Sequence, residues 1–343
     1  MKTRTTTLLA LAAGLFAAAP AFADPYAVTK TIHIGGPGRW DYASVDPAAH
    51  RLYVTRSTHT QAIDLTTDKV LFDVPGQQGS HGVAAAPAVG RGYVTDGKGA
   101  TIVAFDLKNG EVLANIAAAD DADGEIYDAG TNKVLATCGD AGKLAVLDAA
   151  ADPKTAHADT VDLDGKPEFL AADGKGMAYV CINDKNEIAA VDLKAMKVTA
   201  RYPTGTGEAP TGLAIDAEHG RLFVGCRKNS KLVVMSTADG KVLAELPMGA
   251  GNDACGFDPG TGEAFASCGD GTLTVAKETS PGKFEVTQTV KTPRGARTMT
   301  VDPTTHTVYL PTAEMNPLKA GERRATMKPD SFMVVVVSTA AAK

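Results

Sequence analysis

RLYVT (51–55), RGYVT (91–95), KVLAT (133–137), MAYVC (177–181), RLFVG (221–225), EAFAS (263–267) and TVYLP (307–311) are seven versions of one strand. Their central residues, Tyr53, Tyr93, Leu135, Tyr179, Phe223, Phe265 and Tyr309, are spaced by 40, 42, 44, 44, 42 and 44 positions. A repeat of that length is the size of one four-stranded propeller blade. Around each run the plan is the same. An apolar segment ends in Asp (Asp46, Asp128, Asp173, Asp216, Asp258, Asp302) and leads through a turn into the aromatic strand. A third strand follows, such as QAIDL (61–65) or IAAVDL (188–193), and then a fourth, such as VLFDV (70–74) or VLAEL (242–246). Period-2 patterning, β-branched residues and Gly/Asp turns read as antiparallel strands, and no segment reads as a helix.

The seventh copy stops after its third strand, FMVVVV (332–337). The segment AVTKTIHI (27–34) has the character of the missing fourth strand and enters GGPGR as other fourth strands enter their loops. It is expected to close the ring and cover an edge that would otherwise invite intermolecular pairing. The expected fold is all-β: a seven-bladed β-propeller, four antiparallel strands per blade, forming a single domain over 24–343. Residues 1–23 read as a cleaved signal peptide, with Lys2 and Arg4 before an apolar run and Ala21-Phe22-Ala23 as the cleavage site. A periplasmic or secreted monomer without a membrane span is expected.

The YVT strands, the Asp-Pro turns and the V-D-L-x-x-x-K-V connection resemble the YVTN-repeat, YncE-like propellers of bacterial envelopes, a WD40-like architecture. The resemblance spans the whole mature chain. It implies an exported seven-bladed propeller, with DNA binding in some relatives and no agreed enzymatic activity. The chain is also distantly similar to seven-bladed lactonases and to propeller subunits of quinoprotein dehydrogenases.

Composition narrows the function. With 34 Lys and Arg against 40 Asp and Glu, the formal charge is −6, so a nucleic-acid partner is disfavoured. Haem-attachment, P-loop and other nucleotide motifs are absent. Five Cys (Cys138, Cys181, Cys226, Cys255, Cys268) leave a disulfide open but unpairable from sequence. Cys138, Cys226 and Cys268 recur at one column, and small-residue packing is favoured there over soft metal ligation.

Counting back from the turn Asp, the two preceding columns are apolar or small and read as core. Five positions back the column reads Asp41, His81, Asp123, Glu168, Thr211, Asp253 and Arg297. Seven inner strands would gather these at one mouth of the central channel. Crowded carboxylates repel unless a cation compensates. Asp41, His81, Asp123, Glu168 and Asp253 are therefore candidate ligands for a divalent metal ion (Ca, Mg, Mn or Zn), with Arg297 meeting an anionic ligand. A fifteen-residue offset across the hairpin pairs Asp41 with Arg56 and His81 with Asp96, the latter orienting His81 as a candidate base. The long 312–330 loop carries Lys319, Arg323, Arg324 and Lys328, which with Arg294 and Arg297 make a basic cluster in an acidic chain. The expected function is binding of a small anionic ligand, a divalent metal, or both, at this mouth. The alternatives are a lactonase-like metal-assisted hydrolase and a scaffold for envelope-protein or nucleic-acid partners.

Overall fold

The computed structural model describes residues 25–317 and 325–340, so the expected signal peptide lies outside the described residues. Apart from two single-turn 3-10 helices, Pro87–Val89 and Asn183–Lys185, the regular structure is β-strand. Among the described residues no helix is long and apolar enough to cross a membrane.

Five four-stranded antiparallel sheets are separate, and a sixth sheet has seven strands, from Ala43–Asp46 through Val112–Ala117. This departs from the expected seven separate sheets, and the cause is local. The strand Lys69–Ala86 runs unbroken for 18 residues. Its first part pairs with Ser57–Asp64 and its last part with Arg91–Asp96. One cross-strand pair, Ser57 opposite Ser80, carries the ladder between them, with Ser57 at a left-handed φ of 61°.

The inner two strands of a hairpin explain the sequence pattern. Arg51–Thr55 and Thr101–Asp106 are buried at nearly every position because neighbouring sheets cover both faces, so they read as continuous apolar runs. Outer strands such as Lys283–Lys291 alternate exposed residues with buried or half-buried ones. Tyr53, Tyr93 and Phe265 are at most 1% exposed and pack between sheets, each contributing roughly 1.5–3 kcal/mol by burial. The turn Asp residues share one role. Asp46 accepts from the Ala49 amide, Asp258 from Gly260 and Asp302 from Thr304. Each is itself buried and satisfies an amide of its own turn.

The ring closes as the sequence implies. Ala27–His33 pairs antiparallel with Met327–Ser338, Ile32 opposite Val334, and completes the sheet begun by Thr300–Asp302. Tyr26 anchors the start, its backbone exchanging two hydrogen bonds with the Gln288 side chain, at 2.9 and 2.6 Å.

Candidate functional site

The side chains of the charged column are presented by backbone irregularity. In five inner strands the ladder slips where the column residue stands: between Ser80 and Val83, Ala122 and Gly124–Glu125, Pro167 and Leu170, Pro210 and Gly212, and Asn252 and Ala254. His81, Asp123, Glu168, Thr211 and Asp253 are the unpaired residues of these bulges. A bulge turns its side chain away from the regular pleat. The expected fifteen-residue offset therefore fails, because the residue before the bulge takes the opposing place: Ser80 faces Asp96, Ala122 faces Cys138 and Asn252 faces Cys268.

Hydroxyls from neighbouring hairpins then fix the column's backbone. Thr55 Oγ1 donates to the His81 carbonyl at 2.8 Å, Thr95 to Asp123 at 2.5 Å, Ser267 to Arg297 at 2.6 Å and Thr298 to Asp41 at 2.7 Å. This gives the Thr of the YVT runs its purpose. It stitches one repeat to the site residue of the next.

The column assembles into a chain of alternating charge. Arg227 Nη1 lies 2.5 Å from Asp253 Oδ1, and Arg297 Nε bonds the other Asp253 oxygen. Arg297 Nη2 reaches Asp41 Oδ1 at 3.1 Å, Asp41 Oδ2 lies 2.7 Å from His81 Nδ1, and His81 Nδ1 lies 3.5 Å from Asp123 Oδ1. Burial alone would depress the His81 imidazole, but the Asp41 hydrogen bond and the charges of Asp123 and Asp41 push it up to about 9. Burial, then the Asp41 charge, raises Asp123 well above the carboxylate range, against the lowering effect of His81. Glu168 makes no hydrogen bond or ion pair among the described residues. Its carboxyl is pushed up to about 7 by burial and then by the Asp253 charge. Thr211 stays apart, its hydroxyl tied to the Ala209 carbonyl and the Asn183 amide.

Sequence reasoning missed three contributors: Arg227, Tyr42 and Phe169. Arg227 occupies a position filled by Gly97, Gly139 and Gly269 in other repeats, and that exchange was the available signal. Tyr42 is buried and its ring lies 4.7 Å from that of Phe169 across the channel. Its hydroxyl is raised by burial and by the charges of Asp123, Asp253, Asp41 and Glu168, which places it among the acids of the mouth.

Several expectations are corrected. Arg56 does not pair with Asp41. It is fully buried, donates to the carbonyls of Gly35, Gly36, Pro37 and Gly38 and to Gln61, and lies 3.6 Å over the Phe332 ring. Asp96 does not orient His81, because it caps the amides of Gln78 and Gly79 at 2.9 and 2.7 Å. Arg297 is committed to Asp253 and Asp41 rather than offered to a ligand. Arg294 is exposed on the rim. The 312–330 segment is partly an extended hairpin, with Met315 opposite Met327 and Lys328 bound to Glu314 at 2.8 Å. Lys319, Arg323 and Arg324 lie outside the described residues.

The two columns read as core instead line the channel. Val45, Tyr127, Phe257 and Val301, with Ser44 and Thr300, border a central cavity of about 350 Å³ and are half-buried. The five thiols are free and buried, so no disulfide joins them. Burial pushes the Cys226 and Cys268 thiols up to about 12, far from the thiolate that metals and oxidants require. Ellman's reagent is therefore expected to leave all five unlabelled in the folded protein and to label all five in guanidinium. Rapid labelling of any thiol under native conditions would contradict this burial.

Radial sheets around a central channel define an all-β β-propeller. Solved structures agree on the fold. The RRP9 WD40 repeats match with a TM-score of 0.76 at 8% identity, covering 92% of this chain and 99% of that one. U3-55K matches at 0.74 and 8% identity, covering 89% and 97%. Hydrazine synthase of Kuenenia stuttgartiensis matches at 0.68 and 13% identity, covering 81% and 92%. No protein-family model and no curated protein matches the sequence.

Proposed function

We propose that this chain is an exported, seven-bladed propeller of the YVTN-repeat, YncE-like kind that binds a divalent cation at one channel mouth. For the blade count, dividing the strand Lys69–Ala86 between Val74 and Ser80 resolves the seven-stranded sheet into two four-stranded fans. For the cation, one observation carries the reading. A ring nitrogen of His81 and one oxygen each of Asp41 and Asp123 lie within 4.8 Å of one another. Two carboxylates and an imidazole suit calcium, magnesium, manganese or zinc better than a thiophilic ion. Asp41 Oδ1 is held by Arg297, which leaves Oδ2 for the cation. Glu168, without a hydrogen bond or ion pair among the described residues, stands at the same mouth but outside this three-residue group.

Binding there displaces the proton that His81 holds between the two carboxylates, so the cation replaces an imidazolium.

The test is thermal unfolding with and without each of the four ions. One of them is expected to raise Tm in the wild type, and Asp123→Ala combined with His81→Ala is expected to remove that rise. No ion-dependent shift in the wild type, or one that survives in the double variant, would refute the cation reading.

A further inference from the structure

A groove of about 530 Å³ lies beside the charge chain, between the 293–295 loop and the extended hairpin. Gly269 joins the two regions, since a Cβ there would lie 3.8 Å from Arg297 Cβ. The groove's walls are apolar and flexible: Pro293, Ala313, Met315 and Met333. Its charged groups are Arg294, Lys328 and Glu314, and Lys328 is neutralised by Glu314 at 2.8 Å. Arg294 has no hydrogen bond or ion pair among the described residues. Among the described residues, Arg56 is occupied by backbone carbonyls and Arg227 and Arg297 by Asp253. Arg294 is thus open to an incoming anion, and it stands at the edge of an aliphatic trough.

Behind Gly295, outside the groove lining, the polar balance is unusual. Gly295, at φ 91°, lines the groove, and a Cβ there would sit 3.5 Å from Thr312 Oγ1 and 3.9 Å from the Trp40 ring. Thr312 Oγ1, Trp40 Nε1 and Thr292 Oγ1 are all buried without a hydrogen-bond partner. All three can donate. Buried donors left unpaired are costly.

We propose that this groove binds a medium-chain aliphatic monocarboxylate, its carboxylate on Arg294 and its chain along Met315 and Met333. The volume falls within the roughly 300–1,000 Å³ of small-ligand sites. Arg offers a planar fork to a carboxylate, and methionine conforms to unbranched chains. An unpaired guanidinium at the groove's edge selects an anion over an amine. The assignment deepens the reading above by naming a ligand class for that mouth, and it rests on that mouth being a ligand-binding face. It does not require the cation.

The test is calorimetric titration of the full mature chain with octanoate in EDTA, alongside octanol and octylamine. Octanoate is expected to bind, octylamine not to bind, and Arg294→Ala to weaken octanoate by about tenfold or more. Asp123→Ala is expected to leave octanoate affinity unchanged while losing any ion-induced rise in Tm, so the two readings fail separately. Absence of octanoate binding, or equal affinity in Arg294→Ala, overturns the assignment. Octanol binding as tightly as octanoate overturns it too, since the chain would then bind without the Arg294 contact.

Discussion

Arg56→Met is expected to lower the stability of the protein by about 3–5 kcal/mol, because several charge-assisted bonds disappear together. The guanidinium gathers the carbonyls of Gly35, Gly36, Pro37 and Gly38, the loop that follows the closing strand Ala27–His33. These carbonyls point inward around one side chain, and without it they face a buried void. Burial lowers the Arg56 pKa to about 10, so the group remains a cation at neutral pH and its attraction for the carbonyl dipoles is not screened by bulk water. Gly38 shows how tight the wrap is, since a Cβ there would lie 2.3 Å from the Arg56 carbonyl oxygen. Stacking on Phe332 ties the clamp to the strand that pairs with the closing strand. Arg56→Lys should fail nearly as badly, because an ammonium cannot span four carbonyls and stack on a ring at once. Urea denaturation measures the loss, and hydrogen exchange should localise it to Ala27–His33. Stability within about 1 kcal/mol of wild type would show that pairing with Met327–Ser338 closes the ring unaided.

The repeat made the propeller legible because each unit carries the same physical demands: a covered aromatic strand, a turn Asp, an outer strand. The closing strand was readable for the same reason, since the seventh copy ends after its third strand and Ala27–His33 has the half-exposed character of a fourth. The gathering of Asp41, His81, Asp123, Asp253 and Arg297 was also readable, as a polar column within an otherwise apolar repeat. Their partners were not. A bulge shifts pairing by one residue and leaves no compositional mark, so the offset that joined His81 to Asp96 gave the wrong neighbour. Arg56 and Asp41 have opposite charges at matching positions, yet a loop of inward carbonyls competes better for the guanidinium. Nor could alternation tell a channel wall from a core. Tyr127 and Phe257 are as apolar as any buried residue, and only the width of the ring decides what they face.

Glu125→Leu is expected to stabilise the protein by about 1–3 kcal/mol near neutral pH, the cost of a buried polar group without a partner. Glu125 is 3% exposed, and neither carboxyl oxygen has a hydrogen-bond partner. It stands three residues before the turn Asp, where other repeats place Val83, Leu170, Leu213, Cys255 and Met299. Leucine is of similar size and is already the choice of two repeats at this position. Burial raises the Glu125 pKa well above the ordinary carboxylate range, opposed by the Thr95 backbone. The side chain is therefore neutral when folded, whereas in the unfolded chain it ionises once pH passes the usual carboxylate value. Folding then takes up a proton, so the group's favourable contribution is complete below the unfolded pKa and is lost as pH rises towards the folded one. The advantage of the variant should accordingly be smallest near about pH 4, close to the unfolded carboxylate pKa, and grow through about pH 6 to about pH 8. Paired urea titrations of variant and wild type isolate this group, because every other titration cancels in the difference. A difference that does not change with pH would mean Glu125 is ionised in the fold. A variant less stable than wild type would mean that the carboxyl has a partner, and the interface between the second and third fans would then depend on it.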